Sequence, residues 1–573
     1  MPEAIRIDVN VPMEMRDGTV LRADVYRPEG RARYPAILIR TPYNKDWFNQ
    51  SLFDPVAFAR SGYAVVIQDI RGRYASEGEW KRTRMFEVEG ADGFDTVECI
   101  ARERWCDGRV GLGGGSYLTA MQWITAMENP PHLKAFAPYV GDIATHIAPP
   151  PETGAVSFYS VANALPITAM DLVNRAEARG EEVGELRRML ERAIKEPDWV
   201  LRFLPLKNHP LAQWEPIREM LEQRLTPVSQ EELNRRRKYE KISVPGLHIG
   251  GWFDQLEPAV FANYRRMKER GGTPYAREHQ HILVGPWDHG NPRGFLGDLE
   301  FGPAAADMPE IRRYVLSFYD KYLREQDIDL PAVRYFVMGS NEWKTADTWP
   351  VPGSFPQRWF LHSAGRANTS AGDGWLSLHE PGPEPADEFI YDPLHPVPTV
   401  GGRLLAMNGM VPGPKDQSRL ETRGDVLCYT SHELKEDVEV TGPVTVKLYA
   451  STSAVDTDFT AKLTDVYPDG RSILVTEGVQ RARYRKWGRP PEPVVPGAVE
   501  EYTIMLGNTS YLFRQGHRLR LSISSSNFPL YDRNMNTGRG VGEDERGVKA
   551  VQTIFHEHGM ASYLEVYTVS KKE

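Results

Sequence analysis

Residues 109–126 read RVGLGGGSYLTAMQWITA. A strand-like run, Val110-Gly111-Leu112, meets a helix-like run from Ser116 to Ala126 across three consecutive glycines and one serine. Glycine supplies backbone conformations and close approaches that other residues cannot. The order therefore predicts a strand that turns sharply into a helix with Ser116 at the apex, the unit from which α/β sheets are built. Two other structures share the pattern: a helix start whose serine is only an N-cap, and a phosphate-cradling loop. A Walker loop needs Gly-Lys-Ser/Thr, and no lysine is nearby.

The surrounding chain supports an α/β sheet. Residues 9–15 and 21–26 flank Asp17-Gly18 as a hairpin would. Residues 35–40 (PAILIR) and 62–69 (GYAVVIQD) are short, almost continuously apolar strands, as expected of a sheet covered on both faces. A helical pattern runs from Asp92 to Arg104. At 573 residues the chain exceeds one core, and two or three domains are expected. Near residue 145 the texture changes: 176–195 and 230–241 are charged amphipathic helices with no strand between them, which reads as a helical insertion. Strand signals return at 244–250 and 281–284, and Met308–Arg324 reads as a long helix. From about 350, short alternating strands punctuated by Pro and Gly (358–361, 444–449, 459–463, 518–523) imply an all-β sandwich. The predicted architecture is an α/β-hydrolase core (1–144 and 241–349), a helical cap inserted at 145–240, and a C-terminal all-β jelly roll (350–573).

If Ser116 sits on a nucleophile elbow, its neighbours must be small and its backbone strained. Gly114 stands two residues before it, but Leu118 occupies the last glycine position of G-x-S-x-G. A serine hydroxyl needs a base. An α/β hydrolase supplies an acid and then a histidine later in the chain, each just past a strand. Strand 244–250 runs into Gly251-Trp252-Phe253-Asp254, and strand 281–284 into Gly285-Pro286-Trp287-Asp288-His289. Ser116, Asp254 and His289 are thus the candidate catalytic residues. Asp288 adjoins His289 too closely in sequence to orient its imidazole and reads as local structure. Glu257 competes less well with Asp254. His279-Gln280-His281 resembles a metal pair without a third ligand, and a packed histidine pair accounts for it better; no metal is expected. His248 lies inside a strand.

With these residues in place, the chain resembles the bacterial cocaine esterase group of X-Pro dipeptidyl-peptidase-like α/β hydrolases. The resemblance rests on Gly114-Gly115-Ser116-Tyr117, on Arg40-Thr41-Pro42-Tyr43, on Asp69-Ile70-Arg71-Gly72 followed by Ser76-Glu77-Gly78, and on GWFD (251–254) and GPWDH (285–289). It covers nearly the whole chain. It implies that the Tyr43 hydroxyl and the backbone N–H of Tyr117 hold the oxyanion. Thr119 departs from it, since the family usually has glycine there; a side chain at 119 is expected to crowd the helix against the sheet.

The resemblance implies a serine esterase acting through an acyl-enzyme on a small-molecule ester, with no cofactor. Activity is expected to fall below about pH 6–7, from an ordinary histidine pKa of about 6.5. Trp252, Phe253, Leu256 and Trp287 adjoin the catalytic loops and are read as an apolar substrate wall, with packing around the site as the alternative. Phe158, Tyr159 and Met170 are placed in the roof. Two other activities compete: an acylase or amino-acid ester hydrolase, for which Glu257 is the one acid behind Asp254, and a ligand-binding protein on an inactive scaffold. A net charge of −9 argues against nucleic acid. No run of about 18 apolar residues suggests a membrane span. Three cysteines, with no CxxC spacing, and an N-terminal stretch without an apolar signal core fit the cytoplasm. A homodimer is left open.

Overall fold

The computed structural model describes residues 4–80, 85–142, 153–226, 230–406, 409–486 and 488–569, except for the side chains of 159–165, 167 and 230. The expected core–cap boundary at 144/145 lies outside the described residues.

The first sheet contains ten strands: β1 (Ile5–Glu14), β2 (Val20–Pro28), β3 (Tyr34–Thr41), β4 (Ala64–Asp69), β5 (Cys106–Leu112), β6 (Leu133–Phe136), β7 (Gly246–Gly251), β8 (Gln280–Gly285), β9 (Val333–Val337) and β10 (Glu342–Ala346). Their spatial order is β1-β2-β4-β3-β5-β6-β7-β8-β9-β10. β1 and β2 form the expected hairpin, with Met13 opposite Leu21. The run from β4 to β9 is parallel throughout. Every residue of β4 is buried, as the unbroken apolar run requires. From β3 the chain steps to β4 on one side and then to β5 on the other. Such a reversal opens a crevice at the carboxyl ends of the two central strands, where ligands bind in open α/β sheets.

One sequence expectation differs from the structure. The helix expected from Asp92 begins at Met85. Its first turns contain Glu89, buried against Arg40 at 2.8 Å, so a buried charge interrupts the apolar period that would mark the start. β9 and β10, for which no strand was expected or excluded, complete the core sheet, with β9 parallel to β8 and β10 antiparallel to β9.

The insertion is helical: Phe158–Ala178, Gly184–Lys195, Pro197–Leu201, Glu215–Leu225 and Gln230–Arg236. It is tied to the core at Arg73, which is fully buried. The Arg73 guanidinium donates to the Pro42 carbonyl (3.1 Å) and the Thr168 carbonyl (3.1 Å), and lies 3.3 Å from Asp171. Arg175 adds a bond to the Tyr74 carbonyl at 2.6 Å.

Beyond Val351 a second sheet, of eleven strands among the described residues, forms the C-terminal jelly roll. Its spine, Val438–Thr452, pairs antiparallel with Glu500–Phe513, Ala550–Phe555 and Tyr563–Val569. The jelly roll does more than buttress the core. It shares one apolar cluster with the core, in which Trp252, Phe261, Val284 and Phe336 meet Val446, Leu448 and Ile504. It also holds the entry to the cap, where Asp532 N–H donates to the Val156 carbonyl (3.0 Å) and Phe158 N–H to the Leu530 carbonyl (2.9 Å).

Candidate active site

β5 ends at Leu112, and the helix Tyr117–Met127 begins four residues after Gly113. Ser116 between them has φ 63° and ψ −124°, a conformation that costs a non-glycine residue energy and persists only where its surroundings over-determine it. The neighbours supply that constraint. Ser116 N–H donates to the Tyr139 carbonyl (3.0 Å), and all eleven residues of the helix are buried. Gly114 has φ 106°, and a Cβ on Gly115 would lie 2.7 Å from the Tyr139 ring, so the small residues before the serine are required. Thr119 does not crowd the sheet as expected. Gly141 stands opposite it without a side chain, and the Thr119 hydroxyl donates to the Tyr139 carbonyl at 2.7 Å.

Three loops at the carboxyl rim converge. His289 Nε2 is 2.8 Å from Ser116 Oγ, and His289 Nδ1 is 2.5 Å from Asp254 Oδ2. The other Asp254 oxygen accepts the Leu256 N–H at 2.7 Å, and the carboxylate is fully buried. Burial pulls the His289 pKa down. The charge and hydrogen bond of Asp254, with the charge of Asp288, outweigh it and hold the pKa above its ordinary value. Asp288 itself is engaged elsewhere, accepting from Arg293 at 2.7 Å and from Gly290 N–H at 3.1 Å.

Tyr43 lies just past β3, the strand beside β5. It is 37% exposed, and its ring meets Tyr117 edge to face with centroids 6.1 Å apart. Asp69, at the end of β4, accepts the Lys45 and Ala75 N–H groups (2.8 and 3.2 Å) and so ties the Tyr43 loop to residues 70–80. Burial pushes its pKa up to about 6 despite these bonds. Gln50 extends the same loop to the elbow, with its side-chain amide accepting from Gly115 N–H (2.8 Å) and donating to the Gly115 carbonyl (3.2 Å).

Comparison with known proteins bears on this site. Residues 17–291 match the X-Pro dipeptidyl-peptidase (S15 family) description, and residues 327–565 match the X-Pro dipeptidyl-peptidase C-terminal non-catalytic domain. Cocaine esterase of Rhodococcus sp. (strain MB1 Bresler) is 38% identical over 550 residues, covering 94% of this chain and 93% of the relative. The chain belongs to the S15 family. Solved structures share its architecture end to end. An aminopeptidase of a marine sediment Thaumarchaeota archaeon superposes with TM-score 0.76 at 25% identity, covering 100% of this chain and 97% of the other. An α-amino acid ester hydrolase does so with TM-score 0.73 at 23% identity, covering 99% and 97%.

Within this S15 fold, the aromatic wall expected from sequence is a correction. Trp252 is 1% exposed, stacks on Phe261 and donates its indole N–H to the Phe336 carbonyl; it packs the face shared with the jelly roll. Phe253 belongs to the same cluster. Trp287 is fully buried and donates to the Ala305 carbonyl. Leu256 is also buried and starts the helix Glu257–Arg270. Adjacency to Asp254 and His289 in sequence placed these residues near the loops. The turns that follow β7 and β8 carry both tryptophan side chains into buried apolar clusters instead of the crevice.

Other candidates resolve by their partners. Glu257 is fully buried and accepts from Asn508 N–H (3.0 Å) and the Asn508 side chain (2.9 Å), with Arg403 at 3.6 Å; it faces the jelly roll. His281 bonds the Pro331 carbonyl (2.9 Å) and the Tyr322 hydroxyl (2.7 Å), and His279 bonds the Tyr275 carbonyl (2.8 Å). His248 is buried and bonds Gln280, and burial lowers its pKa to about 4. Phe158 packs on Phe528 of the jelly roll, and Met170 accepts a bond from Arg187. The Tyr159 side chain lies outside the described residues. Gln50 and Tyr139 escaped the sequence reading. Gln50 sits in a polar loop without a motif, and Tyr139 follows Ala137-Pro138 at the end of a short apolar run, where a tyrosine reads as core.

Proposed function

We propose that the chain is a serine esterase that cleaves small-molecule carboxylic esters through an acyl-enzyme, with Ser116 as nucleophile, His289 as general base and Asp254 as its orienting carboxylate. The observation that carries this reading is the unbroken hydrogen-bonded path from Ser116 Oγ through both imidazole nitrogens to Asp254, assembled from three loops on one rim. His289 takes the serine proton as Oγ attacks the ester carbonyl. Asp254 holds Nδ1 protonated and stabilises the imidazolium that forms. The Tyr43 hydroxyl and the Tyr117 N–H donate to the oxyanion. The alcohol departs with the proton from His289, and water repeats the sequence to release the acid.

The reading draws on the 38% identity to a protein named cocaine esterase and on membership of a serine-hydrolase family. An amino-acid ester hydrolase activity is disfavoured because Glu257, the acid available to grip an ammonium, is spent on Asn508 and Arg403. We propose the core, cap and jelly-roll division of residues 1–144 with 241–349, 145–240 and 350–573 as the working units, and the cytoplasm as the compartment. Three free cysteines fit that compartment. Among the described residues no helix is long and apolar enough to cross a membrane.

The test is fluorophosphonate labelling with mapping of the adduct, run beside a panel of aryl and alkyl esters, amino-acid esters and amides. Labelling of Ser116 with ester turnover is expected. Amide turnover above ester turnover would favour an acylase, and neither label nor turnover would leave a binding protein.

A further inference from the structure

Tyr139 is 2% exposed and lies beyond the last residue of β6, wedged between the extension of β5 and β7 itself. Its backbone is stitched to both neighbours. It bridges Gly115 on one side and Ile249 on the other, and Val140 N–H donates to the Ile249 carbonyl at 2.8 Å. The Tyr139 carbonyl accepts the Ser116 N–H (3.0 Å) and the Thr119 hydroxyl (2.7 Å). Its ring packs where a side chain on Gly115 would otherwise stand. Its phenol reaches to the other loop and donates to the carbonyl of Gly290, the residue after His289. Gly290 N–H is in turn held by Asp288, so both polar groups of that peptide segment are fixed.

Resting on the esterase reading above, we infer that Tyr139 is a positioning residue: it grips the nucleophile's turn with its backbone carbonyl and the base's loop with its side-chain hydroxyl, and so sets their separation. Burial, with the charges of Asp254 and Asp288, pushes the phenol's pKa well up, so the group donates at every working pH. Without the hydroxyl, the Gly290 carbonyl loses its donor and the loop carrying His289 is free to shift. Displacements near 1 Å are enough to cost about a hundredfold in rate.

Tyr139→Phe removes one oxygen and keeps the ring. Ester kinetics with an aryl acetate are measured against pH, with active sites counted by fluorophosphonate titration and the melting temperature recorded. The expected result is a kcat per titrated site lowered roughly ten- to a hundredfold, with KM little changed. The acid limb should move toward the ordinary histidine value of about 6.5 as the contact with Asp254 loosens. A kcat per site and an acid limb matching the parent protein, with only the melting temperature lowered, would overturn the inference and make Tyr139 a packing residue. If the parent protein turns over no ester, the esterase reading fails separately. The rate of fluorophosphonate labelling at Ser116 then reads Tyr139 on its own: slower labelling in the variant supports it, and equal labelling removes it.

Discussion

His289 is subject to opposing influences: burial favours its neutral form, while Asp254 and Asp288 favour the charged one and prevail. A general base must be neutral to act. A raised pKa therefore moves the loss of activity to higher pH, and the acid limb of kcat/KM should lie above about 6.5 rather than at it. Asp254→Asn removes the main source of that rise. Its limb should fall to lower pH while kcat drops by about 10⁴-fold, as loss of a triad carboxylate does. A pH–rate series on both proteins reads this, and a limb indifferent to the substitution would assign the titration to another group. Tyr43 makes a second prediction. Losing one oxyanion donor costs about 10²–10³ in kcat, so Tyr43→Phe should lose that much while KM and melting temperature stay near the parent values. Parent-like kcat would take Tyr43 out of the mechanism.

Among the elements, the cap helix Phe158–Ala178 is pinned by charges rather than by a large apolar face alone. Arg73 bridges it to Pro42, directly before Tyr43, and Asp171 compensates the buried guanidinium. Removing one partner of a buried pair costs up to about 3–5 kcal/mol, reduced here because Arg175 remains 3.5 Å from Asp171. Arg73→Leu should thus loosen the cap first. Hydrogen exchange is expected to speed up in residues 168–178 while the amides of β3 and β5 stay protected. Uniform protection across the cap would show that the latch is dispensable. The elements themselves were largely legible in the sequence. Continuous apolar runs marked β3, β4, β7 and β8 because a doubly covered sheet demands them. The start of the helix Met85–Arg102 was hidden because Glu89 is buried by pairing with Arg40, a partner far away in sequence.

For the whole molecule, the apolar cluster shared by core and jelly roll predicts that the two fold as one unit. Trp252, Phe261, Val284 and Phe336 of the core share one buried apolar cluster with Val446, Leu448 and Ile504 from the strands after 438. A chain ending at residue 349 would expose that cluster, and exposed apolar patches of this kind drive association. It should elute as aggregate in size-exclusion chromatography, where a stable monomer would argue for an independent core. The same contact explains the misplaced aromatic wall: Trp252, two residues before Asp254, packs against the neighbouring domain.

The sequence by itself determined the strand–glycine–serine–helix turn, the alternation of strands and helices, and the order Ser116, Asp254, His289, because each depends on local periodicity and on residue types a few positions apart. Only the tertiary structure decided which way the flanking side chains face, how Gln50 and Tyr139 brace the turn, and that the imidazole is charged more readily than a free one. Those properties arise from groups brought together across tens to hundreds of residues by the closing of the sheet, and no local pattern records which groups will meet.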